Sequence, residues 1–184
     1  IIVLSATVPD PEVSFLYRDL IKIANDSGIK GILDTYGNEF AEGIKSKPFM
    51  VKPNVEELSK FLQTDLRNMR TRIEGIQYLQ KKHGIPLVVL SMGEEGALVG
   101  FEDQYIHTVP PQIKEINPVG SGDALVAGFA IGLYKGLSII DMCRLGVALG
   151  TANAMIWDIG KFEVKDLMHI YKQLKIYKIN TLTT

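Results

Sequence analysis

The sequence predicts an α/β protein whose central sheet is mostly parallel. From its start to about Ser91, short apolar runs alternate with longer stretches of helical periodicity. This alternation is typical of a parallel sheet covered by helices on both faces. After Ser91, extended runs follow one another across tight turns, which predicts some antiparallel strands. The 184 residues, with 46% hydrophobic and 22% charged side chains, have an ordinary globular composition and are enough for one domain with a sizeable core.

The first half of the chain predicts four strands and four helices. Each strand is a short apolar run, whereas each helix repeats its apolar residues at intervals of three and four. Pro9 and Pro11 bracket a loop between the first strand and the first helix. Strands are expected at Ile1–Leu4, Gly31–Thr35, Pro48–Val51 and Leu87–Ser91, and helices at Glu12–Asn25, Asn38–Ser46, Val55–Leu62 and Met69–His83.

The second half predicts further extended runs followed by three helices. No internal repeat, low-complexity tract or interdomain linker is visible, so residues 1–184 are predicted to form a single α/β core. The tail Ile179–Thr184 shows no pattern. The extended runs are Ala97–Phe101, Tyr105–Val109 and Ile113–Ile116, and the helices cover about Gly122–Lys135, Ile139–Trp157 and Val164–Leu174.

Charge and cysteine content exclude several classes of function. The net charge of −1 without a long basic run argues against nucleic acid or a membrane surface as partner. The longest apolar run, around Ala124–Leu133, is too short to span a bilayer. The single cysteine, Cys143, allows no internal disulfide, which fits a reducing cytosol, and its apolar surroundings predict a small buried side chain. The three histidines have no metal-ligand spacing.

The stretch Asn117–Ala130 predicts a loop, a glycine turn and the N-terminus of a buried helix. Pro118 cannot lie inside a helix, and Gly120 and Gly122 follow it. Because the first amides of a helix lack intrahelical partners, two glycines there would let an anion approach closely. The carboxylate of Asp123 could take a proton from a hydroxyl that attacks a phosphate. The alternative is an ordinary helix start capped by a Ser or Asp side chain.

Lys52–Leu58 lies at a predicted junction between a strand and a helix. Asn54 as N-cap with Glu57 three residues later has the form of a capping box, and that alternative explains the spacing completely. The two side chains also share one face of the first helical turn, where their oxygens could hold water or Mg²⁺ near phosphates. Lys52 would add a cation. Both interpretations can hold at once.

Two more segments are candidates for nucleotide binding. Ser91–Gly96 resembles part of a dinucleotide fingerprint, but that motif needs a helix after its glycines, and here a strand is predicted. A glycine hairpin without a ligand is the alternative. Asn153 lies in a helix of small residues that could flank an adenine, or it forms a hydrogen bond between helices. No Gly-Lys-Ser/Thr motif is present, which argues against a P-loop enzyme.

These motifs together resemble a known family. Asn-Pro-Val-Gly-Ser-Gly-Asp-Ala, from Asn117 to Ala124, resembles the Gly-Ala-Gly-Asp signature of the ribokinase-like (PfkB) sugar kinases. Its Asn-Pro start and the serine between the glycines resemble the phosphosugar branch, the tagatose-6-phosphate kinases and 1-phosphofructokinases. Lys52–Glu57 resembles the family's Lys-Pro-Asn-x-x-Glu element, and Ser91–Gly96 resembles its Ser-x-Gly-x-x-Gly nucleotide loop.

The resemblance implies a fold, a reaction and a set of site residues. The fold would be a three-layer α/β/α arrangement with a mostly parallel central sheet and some antiparallel strands. The reaction would be ATP-dependent transfer of a phosphate to a sugar phosphate, with Asp123 as catalytic base. The amides of Gly120, Ser121 and Gly122 would form the anion hole, and Asn54 and Glu57 would hold Mg²⁺. The residues expected to bind ATP are Lys52, Asn54, Ser91, Gly93, Gly96, Gly122 and Asn153.

The start of the chain departs from the family pattern. Ser5-Ala6-Thr7-Val8-Pro9 stands where the family's Gly-Ser-Leu-Pro is expected, so the proline is present and the glycine is not. The chain starts directly in a strand pattern without a basic segment, which argues against a signal peptide. We therefore expect the C-terminal half or more of a kinase, with the N-terminal part of the family fold absent.

The favoured function is a cytoplasmic kinase acting on a phosphorylated ketohexose, either tagatose 6-phosphate or fructose 1-phosphate. The resemblance leaves a homodimer open for the full-length protein. Two alternatives remain at this point. One is a nucleotide-binding module without kinase activity, and the other is a Rossmann oxidoreductase.

Overall fold

A computed structural model describes residues 1–8, 10 and 13–179. These residues divide into two compact units. The first unit contains Ile1–Ser91 and Val99–Asp103, and the second contains Met92–Leu98 and the chain from Gln104 onward.

The first unit is built on four parallel strands. They are β1 (Ile2–Ser5), β2 (Gly31–Asp34), β3 (Met50–Val51) and β4 (Leu87–Ser91), and each pairs in parallel with the next. Leu33 lies opposite Val51, and Val51 lies opposite Val88, and all three side chains are fully buried. Such continuous apolar runs are what a parallel sheet covered on both faces requires. The predicted parallel sheet is confirmed.

Four helices belong to the first unit. The bounds of α3 and α4 are confirmed residue for residue, whereas α1 begins later than predicted and α2 continues into a 3₁₀ turn at Ile44–Ser46. The predicted loop residues Pro9 and Pro11, and the predicted helix start at Glu12, lie outside the described residues. The helices are α1 (Leu16–Asp26), α2 (Gly37–Gly43), α3 (Val55–Leu62) and α4 (Met69–His83).

The first strand is less buried than its apolar sequence predicts. Leu4 is buried, but Ile1 and Val3 are 46% and 41% exposed. The apolar run Ile1–Leu4 predicts a buried strand, and that prediction is wrong for Ile1 and Val3. Because side chains alternate across a strand, one face of β1 packs on the core while the other does not.

The second unit contains an antiparallel pair. β6 (Gln104–Val109) pairs with β7 (Lys175–Ile179), with Tyr105 opposite Ile179. β5 (Ala97–Phe101) is divided between the two units. The sequence interpretation missed β7, whose pattern is half exposed, and it predicted an extended run at Ile113–Ile116, where the structure has no regular strand. The rest of the tail, residues 180–184, lies outside the described residues. The mixture of parallel and antiparallel pairing is as predicted.

Three helices complete the second unit, and glycines let two of them touch. They are α5 (Ser121–Lys135), α6 (Ile139–Ala154) and α7 (Val164–Gln173). A Cβ atom on Gly128 of α5 would lie 2.5 Å from the Cα of Gly146 on α6, a distance that real Cβ atoms do not show. The two backbones therefore pack directly against each other. Among the described residues, no helix is long and apolar enough to cross a membrane.

The C-terminal end of α6 lies earlier than predicted. The helix ends at Ala154 rather than near Trp157, because the amides of Met155 and Ile156 bond back to the carbonyls of Ala152 and Asn153 in a tighter final turn. The following segment to Gly160 is free to turn towards the start of α5, within the same unit.

Candidate active site

Helix α5 begins with free backbone donors. Its N-cap is Gly120, which has the left-handed conformation (φ +81°), and no side chain caps the helix. Ser121 donates its amide to the carbonyl of Pro118 at 3.1 Å. Within the described residues, the amides of Gly120, Gly122 and Asp123 make no hydrogen bond. The predicted alternative of a Ser or Asp cap is not found.

Gly120 cannot be replaced without disturbing this turn. Left-handed φ values disfavour residues with a Cβ atom. A Cβ at this position would also lie 2.5 Å from Cγ2 of Ile159. Glycine at this position therefore permits both the left-handed turn and the close approach of Ile159, which lies after α6. Three unpaired amides at the positive end of a helix dipole form a site suited to an anion.

Asp123 stands in the first turn of α5 beside these amides. Its side chain is exposed, and within the described part of the chain it forms no hydrogen bond or ion pair. An exposed carboxylate beside an anion-binding turn can accept a proton from a bound hydroxyl.

Helix α3, in the first unit, begins with a side-chain cap, unlike α5. The amide of Glu57 donates to Oδ1 of Asn54 at 2.8 Å, and the amide of Asn54 donates to Oε2 of Glu57 at 2.8 Å. The predicted capping box is confirmed. Among the described residues, Oε1 of Glu57 and Nδ2 of Asn54 have no hydrogen-bond partner. The capping role therefore leaves one carboxylate oxygen available for a cation.

Polar residues gather at the carboxyl ends of β2, β3 and β4. Lys52, which follows β3, forms an ion pair of 3.1 Å with Asp34 at the end of β2, and both side chains are largely buried. Ser91 at the end of β4 donates its amide to the carbonyl of Pro53 and forms a bridge with Asn54. The carboxyl ends of parallel strands are where α/β proteins bind ligands. Lys52, Asn54, Glu57 and Ser91 therefore lie at one edge of the first unit.

A cavity of about 350 Å³ opens beside Asn54 and Glu57. Thr35 lines it, is only 5% exposed, and its Oγ1 has no hydrogen-bond partner among the described residues. The remaining wall is mostly apolar. The lining residues are Thr35, Tyr36, Gly37, Phe40, Pro53, Asn54, Glu56, Glu57, Lys60 and Phe61.

Asp34 and Thr35 were missed by the sequence interpretation, which treated them only as the end of a strand. The available signal was their position, since polar residues directly after a buried parallel strand lie at the edge where ligands bind. The ion pair of Asp34 with Lys52 depends on strand pairing. Sequence spacing alone does not show that pairing.

The glycine loop after Ser91 is a closed 3₁₀ turn in the second unit. Gly93 (φ +58°) and Gly96 (φ +84°) are left-handed, and the amide of Met92 donates to the carbonyl of Gly96 at 2.8 Å. A Cβ on Gly96 would lie 2.0 Å from the carbonyl oxygen of Thr108, so packing alone requires that glycine. Ala97–Phe101 continues as a strand, so the loop lacks the following helix that a dinucleotide fingerprint needs.

Asn153 lies at the end of α6, against the turn that begins α5. It is 1% exposed. Its Nδ2 donates to the carbonyl of Val119 at 2.8 Å and lies 3.2 Å from Oγ of Ser121. Its Oδ1 accepts from the amide of Gly160 at 2.8 Å. The structure thus brings Asn153 together with Gly120–Asp123 in one unit.

The cysteine is buried in the second unit, and one histidine contacts the glycine loop Ser91–Gly96. Cys143 is fully buried in α6, and burial raises the pKa of its thiol to about 12. His107 contacts the carbonyl of Glu95. The described residues contain no group of three or more His, Cys, Asp or Glu that could hold a metal ion. A metal here would need oxygen ligands that include water or phosphate.

Comparison with known proteins decides the family. The family model for pfkB carbohydrate kinases matches residues 1–154. The chain belongs to this family. The matched range contains Lys52–Glu57, Ser91–Gly96, Gly120–Asp123 and Asn153, so every motif of the predicted site lies within it.

Individual pfkB relatives agree with this assignment. The tagatose-6-phosphate kinase of Staphylococcus epidermidis is 31% identical over 179 residues, which are 96% of this chain and 58% of that protein. The crystal structure of phosphofructokinase-2 from Escherichia coli in complex with potassium has a TM-score of 0.86 and 29% identity, and the match covers 92% of this chain and 55% of that one.

Ribokinase from Arabidopsis thaliana, complexed with ribose and ATP, has a TM-score of 0.80 at 19% identity, with 92% of this chain and 55% of that one covered. At this identity the match bears on the fold alone. The ribokinase-like fold class is confirmed. The chain spans about 58% of the length of the curated relatives that it matches, so it represents only part of such a protein.

Proposed function

We propose that the full-length protein is an ATP-dependent kinase that phosphorylates a hydroxyl group of a phosphorylated ketohexose. The observation that carries the proposal is the start of α5, where three amides without partners stand beside the exposed carboxylate of Asp123. This arrangement combines an anion site with a base, which are the two groups that phosphoryl transfer to a hydroxyl requires.

In the proposed reaction, Asp123 takes the proton of the sugar hydroxyl as the hydroxyl oxygen forms a bond to the γ-phosphorus of ATP. The bond between that phosphorus and the oxygen bridging to the β-phosphate breaks, and ADP leaves with the electron pair. The amides of Gly120, Ser121 and Gly122 stabilise negative charge on the transferring group, and those of Gly120 and Gly122 are free to do so in this structure.

Each unit supplies further predicted contacts. Lys52 and Ser91 of the first unit would contact the nucleotide, as would Gly93 and Gly96 in the glycine loop of the second unit. The free Oε1 of Glu57, beside the cavity, is the kind of ligand that Mg²⁺ prefers, and Asn54 holds the carboxylate in place. The residues present therefore fit Mg²⁺, which neutralises phosphate charge when bound.

The names of the relatives support a phosphorylated ketohexose as substrate class. One relative near 30% identity is named a tagatose-6-phosphate kinase, and another is named phosphofructokinase-2. We include tagatose 6-phosphate and fructose 1-phosphate as the leading substrates. The sugar's own phosphate needs Arg or Lys groups in fixed geometry.

Location and assembly belong to the same proposal. We place the protein in the cytoplasm, where ATP and sugar phosphates are available and where the buried thiol of Cys143 is stable without a disulfide partner. A homodimer is our expectation for the full-length protein. Light scattering coupled to size-exclusion chromatography would measure its mass, and a monomeric mass would refute the dimer.

The test is a coupled assay of ADP release by the full-length protein. ATP would be offered with a panel of free sugars and sugar phosphates, and ketohexose phosphates should give the highest kcat/KM. Nucleotide binding without turnover on any member would instead support a binding module. Calorimetric titration of the same preparation with ATP and with NADH tests the third alternative. Only an oxidoreductase should bind NADH more tightly than ATP.

A further inference from the structure

Asn153 has a buried side chain whose polar atoms are already occupied. The side-chain amide has two donor hydrogens and one carbonyl oxygen. The Nδ2 group donates to the carbonyl of Val119 and to Oγ of Ser121, at the start of α5. The Oδ1 atom accepts a hydrogen bond from the amide of Gly160. With 1% exposure, the side chain has no surface to offer a nucleotide.

Helix α6, which carries Asn153, lies close to α5 because Gly150 has no side chain at their contact. A Cβ on Gly150 would lie 3.0 Å from the carbonyl oxygen of Ser121. This close approach places the next turn of α6 against the glycine turn. The backbone adds to the contact, because the amides of Ile116 and Asn117 both donate to the carbonyl of Ala154, at 2.8 and 3.2 Å.

The hydrogen bond from Asn153 to the carbonyl of Val119 also fixes the orientation of the next backbone amide, that of Gly120. A peptide group is planar, so the carbonyl of Val119 and the N–H of Gly120 are fixed in opposite directions within one plane. Holding that carbonyl at 2.8 Å therefore fixes the direction of the Gly120 N–H, which is one of the free donors. Asn153 therefore influences the free amide of Gly120 through the peptide group that joins Val119 to Gly120.

We propose that Asn153 is a positioning residue that orients the free amides at the start of α5, rather than a contact of the nucleotide. This inference rests on the proposed function, because the amides are aimed at the transferring phosphate. It also assigns a role to the segment after α6. Through Gly160, Asn153 holds that segment while Ile159 packs against Gly120.

The test compares Asn153→Ala with Cys143→Ala in the full-length protein. Cys143 lies on the same helix and is also fully buried, but it faces Thr108 on β6 rather than the turn. Asn153→Ala should lower kcat by about 10²-fold, the scale of a misplaced catalytic group, with KM for the sugar phosphate nearly unchanged. Cys143→Ala should lower thermal stability and leave kcat near that of the wild type.

Binding of adenosine separates positioning from nucleotide contact. Adenosine lacks phosphates. The Asn153→Ala variant should therefore bind ATP more weakly than Cys143→Ala does, whereas both variants should bind adenosine with the same affinity. An equal loss for ATP and adenosine would show that Asn153 contacts the base and would overturn the proposal. A kcat loss no larger than that of Cys143→Ala would also overturn it.

Two magnetic-resonance measurements do not depend on kinase activity. In the protein without ligand, the amide resonance of Gly120 should move in Asn153→Ala and stay in place in Cys143→Ala. In the wild type, the Nδ2 protons of Asn153 should exchange slowly with and without ATP, a result that needs no folded variant. A fixed Gly120 resonance or rapid Nδ2 exchange would refute the positioning role. Absence of turnover in the wild type would refute only the proposed kinase function.

Discussion

Helices α3 and α5 both begin within a motif of the predicted site, but only α3 has a side-chain cap. Asn54 and Glu57 close α3 with a complete capping box, whereas α5 begins at Gly120 with no side-chain cap. The capping box occupies the amides of Asn54 and Glu57, so these two donors cannot bind an anion. The amides of Gly120, Gly122 and Asp123 at the start of α5, in contrast, have no partner among the described residues. Under the proposed function, the free Oε1 of Glu57 in α3 would bind a cation, and the free amides at the start of α5 would bind phosphate.

The largest expected effect concerns the carboxylate at the uncapped helix. Asp123→Asn in the full-length protein should lower kcat by about 10²–10⁴-fold, because the amide cannot accept the hydroxyl proton. ATP affinity should stay within a few-fold, since the backbone amides remain. Steady-state kinetics and calorimetry on one preparation would check both values. A variant that keeps more than about a tenth of the wild-type kcat would rule out the base role.

A second variant tests the amides themselves. Gly120→Ala should lower kcat by about 10²-fold, because the new Cβ meets Ile159 and displaces the turn. Gly136→Ala, at the other end of α5, is the matched control. Gly136 has a similar φ of +65° and open space around it, so this change should cost only about 1–2 kcal/mol of stability. Equal kinetics for the two variants would argue against an anion site at Gly120.

The capped helix provides the third and smallest effect. Glu57→Gln should raise the Mg²⁺ concentration needed for half-maximal activity by about tenfold, because Gln keeps the capping hydrogen bond but loses the charge. Thr71→Val is the control, since Thr71 closes the capping box of α4 with Asn68. That control should lower stability without changing the Mg²⁺ dependence. An unchanged dependence in Glu57→Gln would leave Glu57 with a capping role only.

The two helix starts also show what the sequence could predict. The box at Asn54 and Glu57 is local, so its spacing of three residues was sufficient. The glycine turn at Gly120 was likewise predicted, because Pro118 excludes a helix there and the glycines that follow permit a left-handed turn. The α/β class with a mostly parallel sheet followed from the alternation of strands and helices, and the ribokinase-like fold followed from the resemblance of short motifs, which are also local.

What the sequence did not predict depends on tertiary contacts. The ion pair of Lys52 with Asp34 forms only when β2 and β3 pair. The strand β7 was missed because its residues are half exposed and gain their regular structure from β6. Asn153 was predicted to contact a nucleotide or another helix, and its hydrogen bonds to Val119 and Gly160 depend on how α6 packs. That nucleotide contact stays a prediction, which the comparison of ATP and adenosine binding would test.

The most direct test of the contrast between the two helices is an amide chemical-shift titration of the full-length protein with ATP and Mg²⁺. The amide protons of Gly120 and Gly122 should move downfield as they form hydrogen bonds to phosphate oxygens. The amide proton of Glu57, already bonded to Asn54, should keep its hydrogen-bonded shift. If Gly120 and Gly122 do not move at saturating nucleotide, the start of α5 is not the phosphate site.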